Sequence, residues 1–220
     1  MRQILIFIFL CLLVFTGRSQ SSSLDSLRLV FPFGDMKIEK AAISKNNKFI
    51  ALALDDNTIV IKEHKSKKNI LRLTGTQDRI CSLFFLNQQT EYLITGSWDG
   101  MIRAYDVLSG ELIWNAPNYN DLKVVTQDEL DTFLFVGDKN SISALNPLNG
   151  ELLWNQKLDD EVTTIHFNEY ENTLFVGCLS GTIFIIDTKT GNITSRHMSP
   201  FFDDWFQNAL GIMDIKSSLS

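Results

Sequence analysis

The chain has 220 residues, of which 45% are apolar, 21% are charged and 11% are aromatic. This composition predicts one globular unit with a sizeable apolar core and excludes an extensively disordered chain. The formal net charge is −6, which argues against nucleic acid or an anionic membrane surface as a binding partner.

The N-terminus has the pattern of a cleavable export signal. Arg2 supplies a positive charge, Ile4 to Phe15 form an unbroken apolar run of 12 residues, and Gly17-Arg18-Ser19 places small residues before a cut at Gln20. A membrane-spanning helix needs about 20 apolar residues, so this run is too short to cross a bilayer. We therefore predict a signal peptide over residues 1–19, with an uncleaved membrane anchor as the alternative.

Cleavage would leave a mature chain with a net charge of −8, because Arg2 and Arg18 are lost. It would place the protein in the periplasm, the extracellular space or a secretory lumen, with no membrane span. Such a compartment permits disulfides. The two mature cysteines, Cys81 and Cys178, are nearly a hundred residues apart, and we interpret them as small buried apolar residues rather than as a pair.

The rest of the chain is organised by a repeat of about 40 residues. Gly96, Gly137 and Gly177 each follow apolar residues, at spacings of 41 and 40. Two pentads, Gly-Glu-Leu-Ile-Trp ending at Trp114 and Gly-Glu-Leu-Leu-Trp ending at Trp154, lie 40 residues apart. Two further columns share this register: Gly110, Gly150 and Gly191, and Asp106, Asn146 and Asp187. Four columns in one register indicate a structural repeat.

One period contains four short segments that alternate like β-strands and are separated by turn residues. In the second unit these segments are residues 80–86, 92–96, 101–106 and 111–115. Gly100 and Gly110, which lie between them, can supply the positive φ of tight hairpins. Four antiparallel strands in 40 residues, stacked on the next repeat, are typical of a β-propeller blade. The predicted fold class is therefore all-β, a β-propeller of four-stranded antiparallel blades.

Four blades are recognisable within a propeller region that we place at residues 24–200. Their predicted bounds are residues 36–73, 77–116, 120–156 and 160–197. Residues 24–31 are predicted to form a closing strand. Residues 201–220 are predicted to be a tail or the start of an incomplete further blade, whose inner strand would be residues 208–217.

The repeat resembles two related propeller families. The segment from Leu93 to Asp106 resembles a WD40 repeat, with Tyr105-Asp106 in the place of its Trp-Asp pair. The segment from Ser143 to Trp154 is similar to the repeat of quinoprotein-dehydrogenase-like (PQQ-like) propellers. Gly75-Thr76 stands where WD40 repeats carry Gly-His, so the buried Asp-His-Ser-Trp network of that family is incomplete here.

The resemblance has implications for closure and for chemistry. Such propellers usually close at the upper part of the range of about 4 to 8 blades. We therefore predict an open arc or incomplete propeller that self-associates or is completed by a second chain. The sequence has no adjacent cysteine pair and no acidic cluster suited to a quinone-bound Ca²⁺, so the enzymatic half of the quinoprotein resemblance does not carry over.

The candidate partner-binding residues lie in the hairpins between the second and third strands of each blade. In a propeller these hairpins, together with the connections between blades, open on one face near the central channel. The candidates are Trp98, Asp99, Asp55, Asp56, Asp138 and Lys139. Trp98 would be an aromatic anchor, because Trp is enriched at binding hot spots. A purely structural role in the hairpin, which is ordinary turn chemistry for the acidic residues, is the alternative for these candidates, Trp98 included.

No catalytic residue, metal site or cofactor is predicted. The histidines are scattered and no nucleophile motif accompanies them, and one carboxylate per blade rarely converges on a Ca²⁺ ion. Trp114 and Trp154 repeat at the blade period, which favours packing between blades. The predicted function is a non-enzymatic exported scaffold that binds one or more protein partners. The alternatives are a quinoprotein-type cofactor-binding oxidoreductase and a truncated product without independent function.

Overall fold

A computed structural model of the protein describes residues 36–198 except 67, 90 and 118. These residues all belong to the second of the two units into which the chain divides, residues 36–220. The predicted signal peptide (1–19), the closing strand (24–31) and the C-terminal segment (201–220) lie outside the described residues, and they stay predictions.

The described residues form sixteen β-strands in four four-stranded sheets, one after another along the chain. The first sheet contains β1 (Ile38–Ile43), β2 (Phe49–Leu54), β3 (Ile59–Glu63) and β4 (Asn69–Leu73). The second contains β5 (Ile80–Phe85), β6 (Tyr92–Ser97), β7 (Ile102–Asp106) and β8 (Leu112–Ala116). The third contains β9 (Val124–Gln127), β10 (Leu134–Gly137), β11 (Ser141–Leu145) and β12 (Leu152–Lys157). The fourth contains β13 (Val162–Asn168), β14 (Thr173–Cys178), β15 (Thr182–Asp187) and β16 (Ile193–Met198).

In each sheet the spatial order of the strands follows the chain, and neighbouring strands are antiparallel. This arrangement confirms the predicted all-β fold of consecutive four-stranded antiparallel blades. The third and fourth strands of every blade pair with one irregularity, located at Ile61/Lys62, Ala104/Tyr105, Ala144/Leu145 and Ile185/Ile186. The blades therefore repeat the same backbone geometry in its irregular as well as its regular parts.

The repeated glycines lie at the same place in the second strand of three blades. Gly96 pairs with Ser82 and Ile102, and Gly137 and Gly177 occupy the corresponding positions of β10 and β14. A Cβ atom at Gly96 would lie 2.8 Å from Cγ2 of Val125, and one at Gly137 would lie 2.5 Å from Cγ1 of Val162. At Gly96 and Gly137, side chains from the first strand of the next blade therefore occupy the space that a Cβ atom would need.

The core lies between successive blades. Three apolar clusters join the first blade to the second, the second to the third and the third to the fourth. Across the first junction, Phe49 of β2 and Phe85 of β5 stack with ring centroids 6.4 Å apart. Burial between sheets is the main stabilising term in such a repeat, because no blade can cover its own apolar faces.

Closure of the propeller is not seen in residues 36–198. The extensive contacts between strands of different blades follow chain order, and none joins β13–β16 to β1–β4. Phe175 and Ile185, on the face of the fourth blade opposite the third blade, are only half-buried. Within the described part of the chain, no helix is long and apolar enough to span a membrane.

Candidate partner-binding face

The hairpins between second and third strands meet the connections between blades at one end of the sheets. We call this end the hairpin face; it comprises residues 55–58, 98–101, 138–140 and 179–181 with the connections 77–79, 119–123 and 159–161. Backbone hydrogen bonds join the two sets: Trp98 N to Arg79 O at 2.9 Å, Lys139 N to Asn120 O at 3.1 Å and Leu179 N to Glu161 O at 2.8 Å. The predicted gathering of these segments on one face is therefore observed.

Trp98 is the most exposed aromatic side chain of this face, with 48% of its surface accessible. The guanidinium of Arg79 lies over the indole, 5.4 Å from the ring centroid. Arg79 also forms an ion pair of 2.9 Å with Glu39 of the first blade. A chain of contacts thus runs from Glu39 of the first blade through Arg79 to the Trp98 ring of the second blade.

Asp99, next to Trp98, is turned into the protein. Its carboxylate accepts two hydrogen bonds from the Arg103 guanidinium, at 3.2 and 2.8 Å, and the side chains are only 7% and 11% exposed. It also accepts bonds from the backbone N–H groups of Gln77 and Met101. Burial alone would raise the pKa of Asp99, but the hydrogen bonds and the charge of Arg103 lower it overall. These contacts fasten the hairpin to the connection that enters the blade.

The first-blade candidates, Asp55 and Asp56, are exposed at the hairpin face. Asp55 accepts a hydrogen bond from the Lys37 N–H at 3.1 Å. Asp56 accepts from the hydroxyl and the backbone N–H of Thr58, and it pairs with Arg72 at 2.8 Å. The hydroxyl bond is the largest of the causes that lower the pKa of Asp56. Asp56 therefore takes part in a local turn contact, whereas Asp55 links the hairpin to the segment that precedes β1.

In the third blade, Asp138 accepts hydrogen bonds from the Asn140 N–H and the Ser141 hydroxyl. Lys139 is exposed at the tip of the same hairpin. The structure thus places all six predicted candidates on one face but not in one cluster. Trp98, Asp55, Asp56 and Lys139 are exposed, Asp138 is partly buried, and the side chain of Asp99 is turned inward.

The two repeated tryptophans occupy a different environment, at the outer side of the junctions between blades. Trp114 donates a hydrogen bond from Nε1 to the Pro147 carbonyl at 3.0 Å, and Trp154 donates one to the Thr188 carbonyl at 2.8 Å. A Cβ atom on Gly150 or on Gly191 would lie 2.6 Å from the ring of Trp114 or Trp154 respectively. The predicted packing of both tryptophans between blades is observed.

The other candidate groups form no reactive constellation. Cys81 and Cys178 are free thiols, and burial raises their pKa values to about 11 and about 12. His166 lies half-buried in β13 and His197 is exposed in β16. Among residues 36–198, apart from the three that are not described, no three His, Cys, Asp or Glu side chains converge as metal ligands would.

Two residues of the site could not be found from the repeat pattern. Arg79 and Glu39 lie 40 residues apart, and only the packing of the first two blades brings them together. Arg103 carried a weak signal, since it is four residues beyond Asp99, where the returning strand of a hairpin lies beside the turn. The opposite charges of Asp99 and Arg103, four residues apart across the hairpin, indicate an ion pair between them.

Two family models match the chain. The model described as "WD domain, G-beta repeat" matches residues 67–106, and the model described as "Anaphase-promoting complex subunit 4 WD40 domain" matches residues 127–200. No curated protein sequence matches the chain.

Solved structures also match: 1571 chains share the fold, so the fold by itself does not select a partner. A chain of the structure described as "Crystal Structure of Mitotic Checkpoint Complex" is 15% identical, with a TM-score of 0.67. The alignment covers 76% of this chain and 52% of that one, so the chain spans about half the length of its structural match. At this identity the likeness shows the fold alone.

Sheets, repeat columns and family models together define a protein built of WD40-type β-propeller blades. The chain belongs to the WD40-repeat β-propeller family. WD40 domains are typically protein-interaction scaffolds and are generally non-catalytic, in keeping with the resemblance noted in the segment from Leu93 to Asp106.

Proposed function

We propose that this protein is a non-enzymatic, exported interaction scaffold that binds a protein partner through its hairpin face, with Trp98 as the aromatic anchor. The observation that supports this most is the placement of Trp98. An indole with 48% of its surface exposed is held across a blade junction by Arg79 and Glu39. A ring fixed before binding loses little conformational entropy when a partner covers it.

The surroundings of Trp98 suit a protein partner. Aromatic and Arg side chains are the residue types most enriched in interface hot spots, and here one of each is stacked at the surface. Asp55, Asp56 and Lys139 supply exposed charges around the same face, which would act as the polar rim of an interface. Asp99 contributes by fixing the hairpin rather than by touching the partner.

The test compares a position on the hairpin face with a control position at the opposite end of the sheets. A photoactivatable cross-linking amino acid is placed at position 98 and, in a second chain, at position 170. Tyr170 is 86% exposed, and it lies in the connection between β13 and β14, at the opposite end of the sheets. We expect a discrete cross-linked protein from position 98 alone in cells that produce the chain. Equal or absent cross-linking from the two positions would contradict the proposal.

The captured partner then allows a quantitative measurement. Trp98→Ala is expected to weaken its binding by about 2 kcal/mol or more, which is roughly 30-fold in Kd. Asp56→Ala, at an exposed turn of the same face, is the control and should change Kd by much less. An unchanged Kd for Trp98→Ala would remove Trp98 from the interface.

The half-buried face of the fourth blade that lies opposite the third blade supports a second contact, with another copy or another chain. Leu174, Val176 and Phe184 of this blade pack toward the third blade. Phe175 and Ile185 alternate with these residues along their strands, so they point away from the third blade. In the other three blades, residues that point in this direction meet the next blade. We expect the purified protein to sediment as more than one chain, and Phe175→Asp to weaken that association. A stable monomer across a wide concentration range would contradict this expectation.

A further inference from the structure

The sequence contains one triplet with the Asn-x-Ser/Thr pattern of N-glycosylation, Asn192-Ile193-Thr194. No other asparagine in the 220 residues is followed at the second position by serine or threonine. The middle residue is not proline, so the triplet is an acceptable acceptor for oligosaccharide transfer. Its place in the fold decides whether a glycan could be carried there.

The triplet lies at the outer rim of the fourth blade. Asn192 and Thr194 are both exposed, and β16 (Ile193–Met198) is the edge strand of its sheet. The backbone of Asn192 is used in the turn, since its carbonyl accepts the Asp187 N–H at 3.0 Å. Its side-chain amide makes no hydrogen bond to any residue that the structure describes, so a sugar on Nδ2 would break no hydrogen bond within residues 36–198.

The position of Asn192 is exposed in the other blades that carry the repeated glycine. Asn192 stands in the column of Glu111 and Glu151, each of which follows the repeated glycine and is exposed. The fold therefore keeps this column in solvent in three successive blades. Only in the fourth blade does the column hold asparagine, and only there does threonine follow two residues later.

We propose that Asn192 carries an N-linked glycan, an inference that rests on the export included in the proposed function. The donor would be a lipid-linked oligosaccharyl diphosphate in a secretory lumen. The Asn192 Nδ2 attacks the anomeric carbon of the first sugar, and the bond from that carbon to the diphosphate oxygen breaks. A C–N bond forms, the amide nitrogen loses one proton, and the lipid diphosphate leaves with the bonding electron pair.

A glycan at this point has a physical consequence for the edge strand. Among the strands that the structure describes, β16 pairs on one side only, with β15, and its Ile193 and Met198 are exposed. Such edges template pairing with other chains. A bulky hydrated group at the first residue before the strand covers the edge where it begins, and it limits edge-to-edge association while leaving the hairpin face open.

The experiment expresses the full chain in a eukaryotic secretory host, once with its own N-terminus and once with residues 1–19 replaced by a signal peptide of that host. Both are compared with and without peptide N-glycosidase. Wild type and Thr194→Ser should show a slower gel band that the enzyme removes. Asn192→Gln and Thr194→Ala should show only the fast band. Mass spectrometry should locate aspartate at position 192 after the enzyme treatment.

A reporter separates the failure of export from the failure of glycosylation. The double substitution E111N and I113T builds the same triplet in the equivalent column of the second blade. Modification with the host signal peptide but not with the native N-terminus supports the glycan site and contradicts export. A chain whose reporter triplet is modified while Asn192 stays bare overturns the proposal.

Discussion

Trp98 and Trp114 belong to the same blade, yet their environments are opposite. Trp114 is 8% exposed, its indole N–H is bonded to the Pro147 carbonyl, and Gly150 of the next blade lies against its ring. Trp98 is 48% exposed and its main partner is a side chain, Arg79, that is itself at the surface. Trp114 packs between two blades, whereas Trp98 lies at their surface.

Repetition along the chain separates the two cases. The contacts of Trp114 recur one period later at Trp154, with Thr188 and Gly191 in the corresponding places. The backbone bond of Trp98 recurs in the other described blades, at Asp55, Lys139 and Leu179. The contact of the Trp98 ring with Arg79 does not recur, because none of these three equivalent positions holds an aromatic residue. A residue required by the blade is present in successive blades, whereas a residue present once is free to serve a purpose that only one blade has.

The largest expected effect is at the repeated tryptophans. Trp114→Ala should lower the free energy of unfolding by about 3–5 kcal/mol, because a buried ring is removed and a cavity is left between blades. Trp154→Ala should lower it less, since Trp154 is only half-buried. Urea denaturation measures both. Midpoints close to wild type for both variants would show that the junctions do not depend on the column.

The next largest effect is expected at the buried pair beneath Trp98. Asp99→Ala leaves the Arg103 guanidinium buried without its counter-charge and should cost about 3 kcal/mol. Asp56→Ala breaks a pair whose side chains are 32% and 49% exposed, and it should cost at most about 1 kcal/mol. Similar losses in the two variants would contradict the distinction between a buried and an exposed hairpin carboxylate.

The Asp99 effect also has a defined pH dependence. Because the pKa of Asp99 is lower in the folded protein than its ordinary value of 3.8, the folded state gains stability from ionised Asp99 at pH values above 3.8. That gain is lost as the pH falls from 3.8 through the folded pKa. The stability difference between wild type and Asp99→Ala should therefore be full at neutral pH and shrink in acid. A difference that stays constant across this range would mean that the carboxylate charge is not involved.

The blade repeat was predictable because it depends on local sequence features, namely turn residues and the alternation of apolar and polar positions. Gly110, Gly150 and Gly191 all adopt positive φ, between 72° and 78°, and their spacing alone locates the turns. Strand ends in the second blade differ from the predicted ones by one residue, as at β6, which ends at Ser97. Period-two alternation and turn residues are properties of a few neighbouring positions, so they can be read without knowing the packing.

The functional face was only partly predictable. The sequence singled out Trp98 and placed it on a hairpin, but Asp99 was grouped with it as a surface residue. The burial of Asp99 depends on Arg103 across the hairpin and on the Gln77 N–H of the incoming connection. Such contacts depend on which way a side chain turns at a tight bend, and neighbouring residues of the same hairpin can turn opposite ways.

The smallest expected effect on stability is at Trp98 itself. This prediction tests whether Trp98, unlike Trp114, contributes little to the packing of the blades. Trp98→Ala removes a half-exposed ring and a cation–π contact at a surface site, which should cost about 0.5–1 kcal/mol. Arg79→Ala should cost a similar amount, and the double variant should cost less than the sum of the two, because they share that contact. Thermal denaturation of the four proteins measures the cycle. A loss at Trp98 as large as at Trp114 would make Trp98 a packing residue, and its exposure would then no longer support a binding role. A small loss in stability together with a large loss in partner binding is the combination that only an anchor residue gives.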